Sequence, residues 1–157
     1  MKKSITLIIS FLLALIFLSS CSSSEINYVS EGKTYQTEEK IYEILSYGFT
    51  NSFEEYSASD GEIFAVVKFS VKNDVASIIT LETEDFYLKA NGRTYTAEYM
   101  FAENSEGETK QLSQFNIEYN TTKNIYYIVE LTENGDAKYD AYLCGSSIQE
   151  IMREGIK

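Results

Sequence analysis

A chain of 157 residues, 44% of them hydrophobic and 14% aromatic, has apolar surface for one ordinary core and too little length for two domains. Its formal charge of −11 argues against nucleic acid as a partner and against electrostatic attachment to anionic lipid headgroups, since both need a concentrated basic face. Histidine, tryptophan and proline are absent, so the commonest general base and transition-metal ligand are missing, which disfavours hydrolase triads and zinc chemistry.

The chain opens with Lys2 and Lys3, continues through an almost purely apolar run from Ile5 to Leu18, and reaches Leu18-Ser19-Ser20-Cys21. Charge, apolar run and small residues in that order make a secretory signal peptide, with an apolar stretch short of the roughly 20 residues a comfortable span needs. The Leu-Ser-Ser-Cys ending resembles the lipobox of bacterial lipoproteins. That resemblance implies removal of residues 1–20, a diacylglyceryl group on the Cys21 thiol, and a protein held on the extracytoplasmic face of the cell membrane. Two or three acyl chains hold a protein firmly where one does so marginally. Residues 21–36, beginning Ser22-Ser23-Ser24, read as the lipidated cysteine and a flexible tether, and residues 37–157 as the folded domain. With Cys21 lipidated, Cys144 has no internal disulfide partner and reads as a small, partly buried apolar residue at a strand end.

Beyond Lys40 the pattern is short runs of period two, rich in β-branched and aromatic residues, broken by Asn, Asp and Gly. Ile41 to Phe49 opens the expected fold. In Glu62 to Lys72, Ile63, Ala65, Val67, Phe69 and Val71 share one face, while Phe64 and Val66 on the other predict that the first half of this strand is covered on both sides. Phe86 to Lys89 and Arg93 to Tyr99 flank Asn91-Gly92, a strong hairpin signal because both residues tolerate positive φ. Gln111 to Tyr119 adds a strand. Ile125 to Leu131 places Ile125, Tyr127, Val129 and Leu131 on one face, with Tyr126, Ile128 and Glu130 on the other. Tyr139 to Cys144 pairs back on that strand as the last one. Ser146 or Ser147 then caps a short helix carrying Ile148, Ile151 and Met152. The prediction is an all-β, two-sheet sandwich of about seven strands with a short C-terminal helix.

The run from Val67 to Asn73, the segment Asp85-Phe86-Tyr87-Leu88 with its Asn91-Gly92 turn and Tyr95, and Asn120 to Lys123 before Ile125 to Leu131 together resemble a family of bacterial extracellular domains described as telokin-like. The resemblance spans roughly Lys40 to Cys144. It implies an immunoglobulin-like β-sandwich of the kind found on secreted antigens and lipoproteins, and it brings no catalytic residues to carry over.

Candidate site residues follow from chemistry. Tyrosine offers broad apolar contact with a polar tip, and Tyr87, Tyr126 and Tyr142 fall on strand faces opposite the apparent core, so these are the candidate partner-binding residues. The alternative for them is sheet surface filled through β-propensity. The acidic turns at Asp60-Gly61-Glu62 and Glu133-Asn134-Gly135-Asp136 nominate Asp60, Glu62 and Asp136 as calcium ligands, against the plainer reading of a solvated acidic surface. Neither has the ordered spacing of an EF-hand loop. No phosphate loop, CxxC pair or nucleophile elbow is present. The expectation is a non-enzymatic, membrane-anchored recognition module without a cofactor, its partner an envelope protein, a polymer or a host molecule. The alternative is a small-ligand or calcium-binding lipoprotein.

Overall fold

In a computed structural model of the chain, the residues described are 29–36, 41–133, 135–136 and 138–153. Cys21 and the signal peptide lie outside them. The described residues form strands β1 (Val29–Gln36), β2 (Ile41–Thr50), β3 (Ser52–Phe53), β4 (Tyr56–Ser57), β5 (Glu62–Asn73), β6 (Ile78–Glu82) and β7 (Phe86–Ala90). They continue through β8 (Arg93–Thr96), β9 (Tyr99–Glu103), β10 (Thr109–Leu112), β11 (Gln114–Glu118), β12 (Thr121–Thr132), β13 (Lys138–Leu143) and β14 (Ser146–Met152). One 3-10 turn, Thr83–Asp85, precedes β7.

Two layers face each other. The first is a six-stranded sheet in the order β1-β2-β5-β12-β9-β10, and the second combines the four-stranded β14-β13-β7-β8 with the pair β11-β6. All pairings are antiparallel. The alternation along β5 and β12 does what period two requires. Ile63, Ala65, Val67, Phe69 and Val71 with Ile125, Tyr127, Val129 and Leu131 point into the main core, where they meet Leu81, Phe86, Leu88, Tyr139, Leu143 and Ile151 of the second layer. Phe69, Phe86 and Tyr127 interlock there at ring separations of 5.2 to 5.9 Å.

The expected second cover over β5 is present. Phe64 and Val66 join Phe53, Phe101 and Ile128 in a smaller cluster on the outer side of the six-stranded sheet. The β3–β4 hairpin lies over it, with Phe53 against Phe101 and Tyr56 against Tyr99. The Asn91-Gly92 hairpin also forms, with both residues at positive φ (47° and 77°) between the paired Ala90 and Arg93. Asn73 ends β5. Its buried side chain accepts from the amides of Val75 and Ala76 and donates to the carbonyls of Ala76 and Ile117, so it closes the turn and ties it to β11.

Four sequence expectations need correction. The stretch read as a tether, residues 21–36, includes β1, which pairs along β2 through a bulge between Ser30 and Lys33; the backbone edge of β2 recruits a segment whose own apolar pattern is sparse. At the C-terminal end the expected helix is β14, and Tyr139 to Cys144 is neither the last strand nor paired on Ile125 to Leu131, but runs between β7 and β14 in the second layer. Cys144 and Gly145, both at positive φ, make a two-residue turn, and β14 returns along β13. A bulge opposite Ala141 and Tyr142 shifts the alternation by one, so Ile148 and Ile151 both reach the core at a spacing of three, which in sequence looks helical.

The third correction concerns two runs read as single strands. At Ala97-Glu98 the chain changes layers residue by residue: Ala97 N–H donates to Phe86 O, and Glu98 N–H to Ile128 O in the other sheet. Ser113 separates β10, on the six-stranded sheet, from β11, on β6. Last, the strand β6 had no place in the expected seven. Its pattern buries only Ile79 and Leu81 and leaves Ile78, Thr80 and Glu82 exposed.

Candidate functional site

The structure separates the three candidate tyrosines. Tyr126 lies on the outer side of the six-stranded sheet, its ring 5.6 Å from Phe53, with the Lys68 ammonium 4.9 Å from its centroid. Lys68 also bridges to Glu103 at 2.9 Å, and Asn124 donates to the same carboxylate at 2.8 Å. The Lys68 contact, then the Asn124 bond, hold the Glu103 carboxyl below the usual carboxylate range. Tyr126 is therefore part of the packing under and around the β3–β4 hairpin.

Tyr87 and Tyr142 occupy the outer side of the four-stranded sheet, on the far surface of the molecule. They sit directly opposite each other on β7 and β13. Their rings are parallel to within 9° at 4.9 Å, an offset stack across adjacent strands. Lys89, two residues along β7 and hence on the same face, places its ammonium 5.2 Å from the Tyr87 ring and 4.8 Å from the Tyr142 ring. Asp140 is opposite Lys89 in register. Beside the stack is an open depression of about 370 Å³, walled by Tyr142, Lys89, Asp140 and Thr94 and closed at one end by the Asn91-Gly92 turn. Asn91 is held there by a hydrogen bond from its amide to the Asp136 carboxylate.

The fold has solved counterparts. An uncharacterized β-sandwich protein of Clostridium difficile 630 aligns with a TM-score of 0.56 at 16% identity, over 76% of this chain and 89% of its own. A protein described as a candidate lipoprotein, YcdA, of Bacillus subtilis subsp. subtilis strain 168 aligns with a TM-score of 0.54 at 14% identity over 79% of this chain; the match spans 39% of the length of YcdA. A functionally unknown protein of Listeria monocytogenes EGD-e aligns with a TM-score of 0.51 at 14% identity, over 73% of this chain and 70% of its own. At these identities the likeness is one of fold: the chain is a β-sandwich. The sequence matches no protein-family model and no curated protein.

The candidate calcium ligands are placed as follows. The loops that carry them are neighbours, joined by Glu133 N–H to Gly61 O at 2.8 Å. Asp136, however, is engaged by Asn91, and Glu62 lies near Glu98. Among the described residues no three Asp, Glu, Cys or His side chains are grouped as a cation would need. Burial, and then the neighbouring Glu130 carboxylate, raise the Glu98 carboxyl above its ordinary value. Glu130 also accepts from the Ser59 amide at 2.6 Å, which ties the segment after the β3–β4 hairpin to β12.

Cys144 sits at the β13–β14 turn, packed against the main core. The Tyr42 hydroxyl donates to its sulfur at 3.5 Å, and burial followed by this contact push ionisation of Tyr42 far upward. Glu103, Asn104, Ser105, Gly107 and residues 122–124 line a second open depression, of about 550 Å³, without an aromatic wall. Among the described residues no helix is long and apolar enough to cross a membrane.

The sequence nominated Tyr87 and Tyr142 as candidates and did not nominate Lys89, Asp140, Asn91 or Thr94, which the structure brings beside them. The signal for the first two was there in part: each is two residues from its tyrosine on the same strand, hence on the same face. What was missing is the β7–β13 register, which joins residues more than 50 positions apart.

Proposed function

We propose that this protein is an extracytoplasmic lipoprotein, held at the membrane by a diacylglyceryl group on Cys21, whose telokin-like, immunoglobulin-like sandwich is a non-enzymatic binding module. Its working surface is the outer side of the β14-β13-β7-β8 sheet. The observation that carries this reading is the half-buried Tyr87–Tyr142 stack with Lys89 beside an open depression, an arrangement of aromatic rings and polar groups on the outer side of that sheet. Rigid aromatic rings give contact area at little entropic cost, and the surrounding polar groups orient a ligand.

Two measurements test the two halves. Metabolic labelling with an alkyne fatty acid is expected to tag the wild-type chain and not Cys21→Ala; a tag surviving that substitution overturns the anchor. Crosslinking with mass spectrometry in the native envelope, from a photoreactive residue replacing Lys138 beside the tyrosine face, is expected to capture a ligand. The same probe replacing Tyr119, off that face, is expected to capture none. Equal yields from both positions overturn the assignment of the face.

A further inference from the structure

We propose that the depression beside Tyr142 binds a neutral sugar ring, so that the module recognises a segment of an uncharged glycan; this deepens the binding reading above and rests on it. A pyranose presents an apolar C–H face and a rim of hydroxyls, each both donor and acceptor. A site for it therefore needs one flat apolar wall and a mixed set of polar groups around it.

The depression supplies both. Tyr142 is the wall, and Tyr87, outside the depression, backs it by stacking on its ring at 4.9 Å. The Lys89 ammonium over both rings and the cross-strand stack keep the wall in place before any ligand arrives. The polar rim divides its chemistry: Lys89 is a donor only, Asp140 an acceptor only, and the Asn91 amide and Thr94 hydroxyl are both.

Charge selects among ligands. Lys89 and Asp140 face each other in register within one depression, so the site carries no net charge from that pair. A polyphosphate or a polyuronate would meet an acidic protein of net charge −11, with Lys89 the one cation among the residues lining the depression, and Asp140 beside that lysine repels it. A cationic peptide would be repelled by the Lys89 ammonium in the lining. A neutral, polyhydroxylated ring meets neither objection. The volume of about 370 Å³ lies at the small end of ligand sites, which suits one ring of a longer chain. Many copies anchored in one membrane would then hold a polymer by avidity.

The experiment uses the full-length chain, solubilised in detergent and presented to an array of neutral oligosaccharides, chitohexaose and cellohexaose among them, with polygalacturonate as the acidic probe. At least one neutral oligosaccharide is expected to bind, with Tyr142→Ala lowering affinity about tenfold or more, as loss of an aromatic wall worth about 1.4 kcal/mol does. Asp140→Asn tests the rim without removing the wall and is expected to weaken binding while leaving the melting temperature near wild type. Tyr119→Ala, off this face, is expected to change nothing. Binding to polygalacturonate alone overturns the neutral class, as does an array with no neutral ligand. If the crosslinks from position 138 persist in that case, the binding reading stands while the glycan proposal falls; if they vanish too, both fall.

Discussion

On the outer side of the six-stranded sheet, Phe64, Val66, Phe101 and Ile128 point away from the main core and are still dry, because the Ser52–Ser57 hairpin lies over them and Tyr126 packs against the cluster. On the outer side of the four-stranded sheet, Tyr87 and Tyr142 point away from the core in the same manner, half-buried against each other and beside Lys89, and no described hairpin lies over them. Both regions show the same alternation of aromatic and polar residues along a strand. The difference is whether a neighbouring segment returns to cover the face, and it teaches that an outward aromatic residue marks a candidate site only where nothing returns. Among the described residues, Tyr126 fails that criterion and the Tyr87–Tyr142 pair meets it.

Mutational energetics offer the strongest way to break this comparison. Phe69→Ala, in the centre of the main core, is expected to cost about 3–5 kcal/mol by urea denaturation, from lost transfer energy and a cavity two sheets cannot close. Phe101→Ala, under the hairpin, is expected to cost less, about 2–3 kcal/mol, since two short strands held mainly by side chains can settle onto the gap. Equal costs would mean that the hairpin is as rigid a cover as the second layer, and the contrast between the two faces would then need another cause.

Two carboxylates near the hairpin sharpen the picture through pH. The folded value of Glu98 is raised, so its contribution is present below the ordinary carboxylate value and is lost as pH rises through the raised one. Glu98→Gln should therefore melt higher than wild type at neutral pH, with the difference shrinking on acidification. The folded value of Glu103 is lowered, so its contribution is present above the ordinary value and is lost as pH falls through the lowered one. Glu103→Gln should melt lower than wild type at neutral pH, with the deficit closing in acid. Melting temperatures from pH 3 to 8 for the two variants test opposite slopes; parallel slopes would contradict the assigned contacts. The smallest effect is expected at the open face, where Tyr87→Ala should cost under about 1 kcal/mol in stability, the value of a surface cross-strand pair. A loss as large as that of Phe101→Ala would make the stack a structural element.

Much of this was legible before the fold. The alternation along Glu62 to Lys72 and Ile125 to Leu131 determined which side chains enter the core, and the positive-φ tolerance of Asn91-Gly92 determined a hairpin, because both are properties of neighbouring residues. Phe64 and Val66 even announced a second covered face. The tertiary structure decided the rest. It made residues 146–152 a strand, since the turn at Cys144-Gly145 and the bulge in β14 depend on an available edge of β13. It divided two runs between layers at Ala97-Glu98 and Ser113, where the hydrogen-bond partners change sheet. It also set Tyr87 against Tyr142 and Lys89 against Asp140, because pairing across a sheet is chosen by contacts far apart in the chain, while local alternation specifies only the face on which each side chain stands.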